Sequence, residues 1–192
     1  TNNITIENIP VFRSTFHSLV DHDGYLINHE NLTCREITEK SLLILRTSSD
    51  SKKNNKSVKE IFNIKLPDSP CESTGKNDAK CFWVSPDEYW LLNNRQFKVD
   101  LIDMIQLLPE GMTITDSSGA YGILEFDGFK TDLLSRWMSY DFKTLKDGRC
   151  VSTTFGQAPI FIYRDDQKIF MMVRHSFSHY VVGLLKDSAK RV

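Results

Sequence analysis

Residues 81 to 92 read Cys-Phe-Trp-Val-Ser-Pro-Asp-Glu-Tyr-Trp-Leu-Leu. Two apolar, aromatic-rich runs flank the four-residue turn Ser85-Pro86-Asp87-Glu88. Pro86 fixes φ for a tight reversal, and aromatic residues on paired strands fill core area, so the segment predicts a β-hairpin. Such a hairpin cannot stand alone in water. It needs further strands and a covering layer, which makes this a sheet-containing fold with its aromatics inside.

The remaining patterning supplies both. Leu42, Leu43, Ile44 and Leu45 read as a short buried strand, and the polar run Thr47 to Lys56 reads as a loop. Val58, Ile61 and Phe62 share one face of a short helix that stops before Pro67. Phe97, Leu101, Met104, Ile105 and Leu108 recur at helical spacing until Pro109-Glu110-Gly111. Beyond lie a strand at Gly122 to Phe126, a helix face of Phe129, Leu133 and Trp137, and strands near 151–155, 160–163 and 169–173. Asp165-Asp166-Gln167 closes a tight hairpin between the last two. Ser176 is placed to cap a final helix whose Phe177, Tyr180, Val181, Leu184 and Leu185 form one apolar face.

The expected class is therefore α+β, in two similar two-layer halves, each a mostly antiparallel sheet with helices on one face. Residues 1–35 are polar and weakly periodic, with isolated anchors such as Phe12, Phe16 and Leu19, and read as an N-terminal arm. Residues 36–109 form the first half and 110–192 the second.

Charge narrows the functions. Lys plus Arg number 24 against 25 Asp plus Glu, so no overall field draws the chain to nucleic acid or an anionic membrane. No run approaches the ~18 apolar residues of a membrane span. Cys34, Cys71, Cys81 and Cys150 form no Cys-x-x-Cys pair, and no apolar signal region opens the chain. Free thiols in a reducing cytoplasm are the expectation.

The candidate constellations are weak ones. His175 and His179 stand at i and i+4, the zinc-binding spacing, but Ser176 replaces the Glu of a His-Glu-x-x-His site, and a cap or surface role is favoured. Asp21, His22, Asp23 and His29 match no calcium-loop pattern and read as turn chemistry. Asp87 and Glu88 are adjacent, so a shared catalytic role is disfavoured, and Asp87 is expected to hold backbone amides of its turn. Trp83 and Trp90 read as packing residues. Lys52, Lys53, Lys56 and Lys59 read as a solvated basic run. There is no Gly-x-Gly-x-x-Gly for a dinucleotide and no Gly-x-Ser-x-Gly elbow. No catalytic, cofactor-binding or metal residue is assigned.

In order and spacing, the 41–46 strand, Leu66-Pro67, the Trp83 to Leu92 hairpin, Thr115-Asp116-Ser117-Ser118, the 148–159 segment with Arg149-Cys150, Tyr163-Arg164, Arg174 and Ser176-Phe177 form a set. With these landmarks the chain resembles the γ subunit of heterotetrameric sarcosine oxidase over residues 36 to 190. It departs from that family at Trp137 to Phe142, which lacks the usual Gly and Pro, and at Val151 to Gln157, which lacks a usual Arg.

The resemblance implies a fold related to the folate-binding domains of the glycine-cleavage T-protein. It implies a non-catalytic chain that stabilises a cytoplasmic complex with α, β and δ subunits. FAD, FMN, NAD and tetrahydrofolate would sit on other subunits, and zinc on δ. That complex demethylates sarcosine to glycine, passing the methyl carbon to formaldehyde or methylene-tetrahydrofolate. A free-standing folate-binding or aminomethyl-transfer protein is the second reading.

Overall fold

In a computed structural model, residues 13–47, 51–76, 79–94, 101–128 and 131–191 are described. The strands are β1 (Tyr25–His29), β2 (Leu32–Ile37), β3 (Lys40–Thr47), β4 (Ser73–Lys76), β5 (Ala79–Ser85) and β6 (Glu88–Asn94). They continue with β7 (Met112–Asp116), β8 (Tyr121–Asp127), β9 (Cys150–Phe155), β10 (Ala158–Asp165) and β11 (Lys168–Arg174). The helices are α1 (Ser51–Phe62), α2 (Leu101–Leu107), α3 (Thr131–Ser135) and α4 (Ser178–Ala189). The strands make two antiparallel sheets, ordered β1-β2-β8-β11-β10-β9 and β4-β5-β6-β3-β7.

The sheets lie face to face with helices outside both, so the fold is a four-layer α+β sandwich. Period-two alternation sends Phe82, Trp90, Phe161, Tyr163 and Met172 into the seam between the sheets. Their neighbours in sequence point outward. On the five-stranded sheet, Leu43, Leu45, Cys81 and Leu91 pack with Val58 and Phe62 of α1 and Met104 of α2. On the six-stranded sheet, Ile160, Ile162, Met171 and Val173 pack with Leu133 of α3 and Val181 and Leu185 of α4. Both faces of each sheet are thus covered, which is why β3 and β6 read as unbroken apolar runs rather than as alternation.

The hairpin expected at residues 81–92 forms, with Trp83 opposite Tyr89 and Ser85 opposite Glu88. So does the β10–β11 hairpin, where Asp165 faces Lys168 and Asp166 adopts φ 53°. Pro109-Glu110-Gly111 follows α2, with Gly111 at φ 83°.

Several expectations need correction. The run expected as a loop from Thr47 to Lys56 is helical from Ser51, because it continues the helix that buries Val58 and Phe62. Ser176 does not cap the last helix. Residues His175–Phe177 form a short 3₁₀ turn, and Phe177 takes the cap position of α4 without a side-chain bond. The helix expected around Leu133 and Trp137 is the short α3, and Trp137 lies beyond it, donating its indole N–H to Ser188 Oγ at 3.0 Å. Phe12, Phe97 and Phe129 lie outside the described residues.

Residues 13–37 join the fold directly. Phe16 is fully buried against the six-stranded sheet, and Ser14 Oγ and the Phe16 N–H both donate to the Glu36 carboxylate, at 2.7 and 3.1 Å. Gly122 makes the approach possible: a Cβ there would meet Phe16 Cε2 and Thr15 Cβ at 2.5 Å. Strands β1 and β2 then extend the sheet beside β8. Strand β7, after the turn at 109–111, joins the other sheet beside β3.

Candidate functional site

A cleft of about 490 Å³ opens at one end of the seam. The ends of β2, β8, β10 and β11 form one wall, and β3, β5 and β6 form the other. Its apolar lining comes from Ile37, Leu92, Tyr163 and Phe170, the last two with rings stacked at 4.8 Å and 4°. Five carboxylates, Glu39, Glu125, Asp127, Asp165 and Asp166, share the lining with Lys40, Lys80 and Lys168.

Lys80 is the decisive charged group. Its even position on β5 puts it on the seam side beside Phe82, and it is only 7% exposed. An ammonium taken out of water needs a partner, and Nζ finds Asp165 Oδ1 across the seam at 2.9 Å. Buried Glu125 accepts from Arg35 Nε at 2.7 Å and Lys168 Nζ at 3.1 Å. Lys168 also reaches Asp127 at 3.3 Å.

The hydrogen bond to Glu125 holds the Arg35 guanidinium above its ordinary value. Burial alone would lower Lys168, but its bonds to Glu125 and Asp127 outweigh that and leave it raised. Burial, assisted by Asp165 and Glu125, drives the Tyr163 phenol upward. Tyr163 is therefore a neutral hydroxyl at physiological pH, unable to serve as a base. The cleft can accept a small polar group, and one of its ion pairs, Lys80 with Asp165, ties one sheet to the other, while the pairs of Glu125 and Asp127 lie within the six-stranded sheet.

A second groove, about 410 Å³, opens at the opposite end of the seam, lined by Trp90, Tyr121, Phe161 and Arg174. Arg174 lies 5.6 Å from the Tyr121 ring centroid and donates from Nε to the Tyr121 hydroxyl at 3.1 Å.

Of the residues weighed from sequence, Trp90 lines the second groove, and His175, His179, Asp21, His22, Asp23, His29, Asp87 and Glu88 line neither recess. His175 and His179 are exposed, and the His175 N–H donates to the Ala120 carbonyl. Asp21 Oδ1 accepts the N–H groups of Asp23 and Tyr25 at 3.0 and 2.8 Å, a turn stabilised by its own side chain. Among the described residues no group of three or more His, Cys, Asp or Glu is arranged to hold a metal ion.

Asp87 does not hold backbone amides as expected. Its carboxylate meets Arg46 at 3.1 Å and Ser85 Oγ at 3.3 Å, because Arg46 on β3 projects from the strand opposite. Glu88 takes the same guanidinium and also accepts the Trp90 indole N–H at 2.7 Å. Trp90 packs in the seam against Phe161, and Trp83 packs on Tyr89. Lys56 pairs with Glu60 at 3.9 Å on the exposed face of α1.

The cleft residues were missed in sequence because they come from seven strands. The one local signal was a lysine inside an apolar strand, Lys80 ahead of Cys81-Phe82-Trp83.

With this geometry in hand, the fold can be set beside known proteins. A chain of the heterotetrameric sarcosine oxidase from Corynebacterium sp. U-96, solved in complex with pyrrole 2-carboxylate, superposes with a TM-score of 0.79. The match covers 94% of this chain and 95% of that one at 21% identity. The chain has the fold of a sarcosine oxidase chain. The glycine cleavage system aminomethyltransferase T from Bartonella henselae matches with a TM-score of 0.57 and 10% identity, over 78% of this chain. The match spans only 44% of that enzyme. No protein-family model and no curated protein sequence matches. Identities this low establish the fold and its two-sheet, α+β class. Among the described residues no helix is long and apolar enough to cross a membrane.

Proposed function

We propose that the chain is the non-catalytic γ subunit of a heterotetrameric sarcosine oxidase. It would stabilise a cytoplasmic assembly with α, β and δ subunits that demethylates sarcosine to glycine and formaldehyde or methylene-tetrahydrofolate. FAD, FMN, NAD and tetrahydrofolate would be carried by the other subunits. The observation that carries this reading is the end-to-end match, 94% of one chain against 95% of the other, to a chain of such an enzyme. The pairing of the cleft's buried charges, Lys80 with Asp165 and Glu125 with Arg35 and Lys168, supports a scaffold in preference to a reaction centre.

The architecture is in this reading T-protein-like, matching 44% of the length of the aminomethyltransferase. Affinity capture of the tagged chain from its native cytosol tests the proposal. A yellow complex containing a flavoprotein and a large folate-domain subunit is the expected result. Sarcosine oxidation by the purified chain alone would overturn it.

The cleft of about 490 Å³ favours one second reading, a free-standing folate binder or aminomethyltransferase-like protein. Titration with tetrahydrofolate separates the two, since saturable binding to the isolated chain belongs only to the second.

A further inference from the structure

Cys71 and Cys150 are brought opposite one another beside a backbone bridge that joins the two sheets of the sandwich. Glu72 and Arg149 form an isolated antiparallel bridge. It is closed on one side by the Ser73 N–H donating to the Gly148 carbonyl at 2.8 Å, and on the other by the Cys150 N–H donating to the Cys71 carbonyl at 3.0 Å. Cys71 and Cys150 thus occupy the next rung of the ladder. Opposed residues joined by such a bond have Cα atoms about 5.5 Å apart, inside the range of about 4.4–6.8 Å that a disulfide spans. Cys150 Sγ lies 3.6 Å from the Glu72 carbonyl oxygen, against the backbone of the residue next to Cys71. Cys71 itself is exposed and held at φ 61°, an uncommon backbone for a residue with a side chain.

We propose that Cys71 and Cys150 form an intramolecular disulfide when the protein meets hydrogen peroxide, stapling the segment before β4 to β9 and so one sheet to the other. The inference stands on this geometry alone and is independent of the γ-subunit reading. The Cys71 thiolate, exposed to solvent, attacks a peroxide oxygen: an S–O bond forms, the O–O bond breaks, and the departing hydroxide takes a proton to become water. The Cys150 sulfur then attacks the Cys71 sulfenic acid: the S–S bond forms, the S–O bond breaks, and a second water leaves with the thiol proton. Two thiols lose two electrons in total and the peroxide gains them.

The order of events follows from burial. Cys150 is 2% exposed and its thiol is pushed up to about 12, chiefly by burial and next by the nearby Cys71. It stays protonated and shielded from oxidant, so Cys71 is the entry point and Cys150 the resolving partner. Cys34 is buried in a separate core cluster and burial raises its thiol, so it serves as the internal control, whereas Cys81 lies within electrostatic reach of Cys150.

The test treats the full chain with hydrogen peroxide, alkylates remaining thiols, and maps peptides without reduction. A peptide pair joining Cys71 to Cys150 is expected. Because the closed loop is about 80 residues long, Tm should rise by about 10 °C and fall back on adding dithiothreitol. Cys71→Ser should abolish the joined peptide and the rise together, leaving the reduced protein's Tm unchanged. The proposal is overturned if Cys150 remains a free thiol while Cys71 is recovered as sulfinic acid or as a crosslink to a second chain.

Discussion

The seam between the sheets and the helix-covered outer faces solve the same burial problem with different side chains. Outside, most of the buried residues are aliphatic, such as Leu133, Ile162, Val181 and Leu185 on one sheet and Leu43, Leu45 and Val58 on the other, with Phe16, Phe126, Phe155 and Phe62 set singly among them. Inside, Phe82 meets Phe161 edge-on at 5.2 Å and Tyr163 at 4.7 Å, while Trp90 meets Phe161 at 4.9 Å. Aromatic rings have few rotamers and preferred mutual angles, so they fix where one sheet sits on the other more sharply than aliphatics do. The outer layers supply burial, and the seam supplies registration. Its two ends are then closed by polar groups, Lys80 with Asp165 at one and Arg174 with Tyr121 at the other.

The most severe way to break that contrast is Phe82→Ala. The ring is fully buried among three other aromatics, and its removal leaves a cavity walled by stiff neighbours that cannot collapse into it. A loss of about 4–5 kcal/mol is expected, with a lower denaturant midpoint in urea unfolding. Leu133→Ala, in the aliphatic layer, should cost about 3 kcal/mol, since its surroundings relax further. If Leu133→Ala proved the costlier of the two, the seam would not be the more rigid layer.

Alkaline pH probes all three layers together, because each holds one buried thiol: Cys34 under α3 and α4, Cys81 under α1 and α2, Cys150 in the seam. Burial raises all three above the ordinary 9.0. The neutral thiol is favoured in the fold, so the contribution is whole below pH 9. It is lost as pH climbs from 9 toward the folded values, since only the unfolded chain releases its protons. By pH 10 this amounts to roughly 1 kcal/mol or a little more per thiol, several kcal/mol for the three together. Urea midpoints measured between pH 7.5 and 10 should show it, and each Cys→Ala replacement should remove a third of the slope. A flat profile would mean that the thiols are hydrated in the fold.

Lys80→Met sharpens the comparison at the polar end of the seam. The methionine fills the space of the lysine stem, but Asp165 loses its cation while still largely buried, so a loss of about 2 kcal/mol is expected. Adding Asp165→Asn should recover most of it. A double-mutant cycle with no coupling would show the ion pair to be incidental to how the sheets are held.

How much of this was legible in the sequence depended on whether a signal was local. The β5–β6 and β10–β11 hairpins were, because turn residues and flanking apolar runs lie within a dozen positions. The class α+β followed from them. Strands β1, β2 and β7 were not, since His29, Arg35 and Glu36, or Thr113 and Thr115, put polar residues on their open positions and the apolar half-pattern is short. Tertiary pairing with β8 and β3 decides those strands, and no window of sequence contains the partner. Helix α1 was read too short for the complementary reason: Ser51 to Lys56 has no apolar stripe, and the turn is carried by the helix it extends. Of the cleft, only Lys80 left a trace.

The smallest effect tests whether the outer layer needs polar fixtures at all. Tyr180 on α4 is 42% exposed, and its hydroxyl accepts the Gln157 N–H at 3.2 Å, holding the β9–β10 turn under the helix. The turn is already committed, because Gly156 takes φ 58° and would carry a Cβ only 2.5 Å from that same hydroxyl. Tyr180→Phe removes the acceptor but keeps the ring, and the freed N–H can turn to water. The expected loss is about 0.5 kcal/mol, the lower end for one hydrogen bond, because the group left behind is not buried. The tyrosine then acts as a lid whose ring matters more than its oxygen. Tyr180→Ala, which uncovers Leu184 and the turn together, should cost about 1.5 kcal/mol. The ratio of the two, read from urea midpoints, measures how far packing outweighs polar contacts on the helical side. A hydroxyl worth as much as the whole side chain would place registration in the outer layer as well as in the seam.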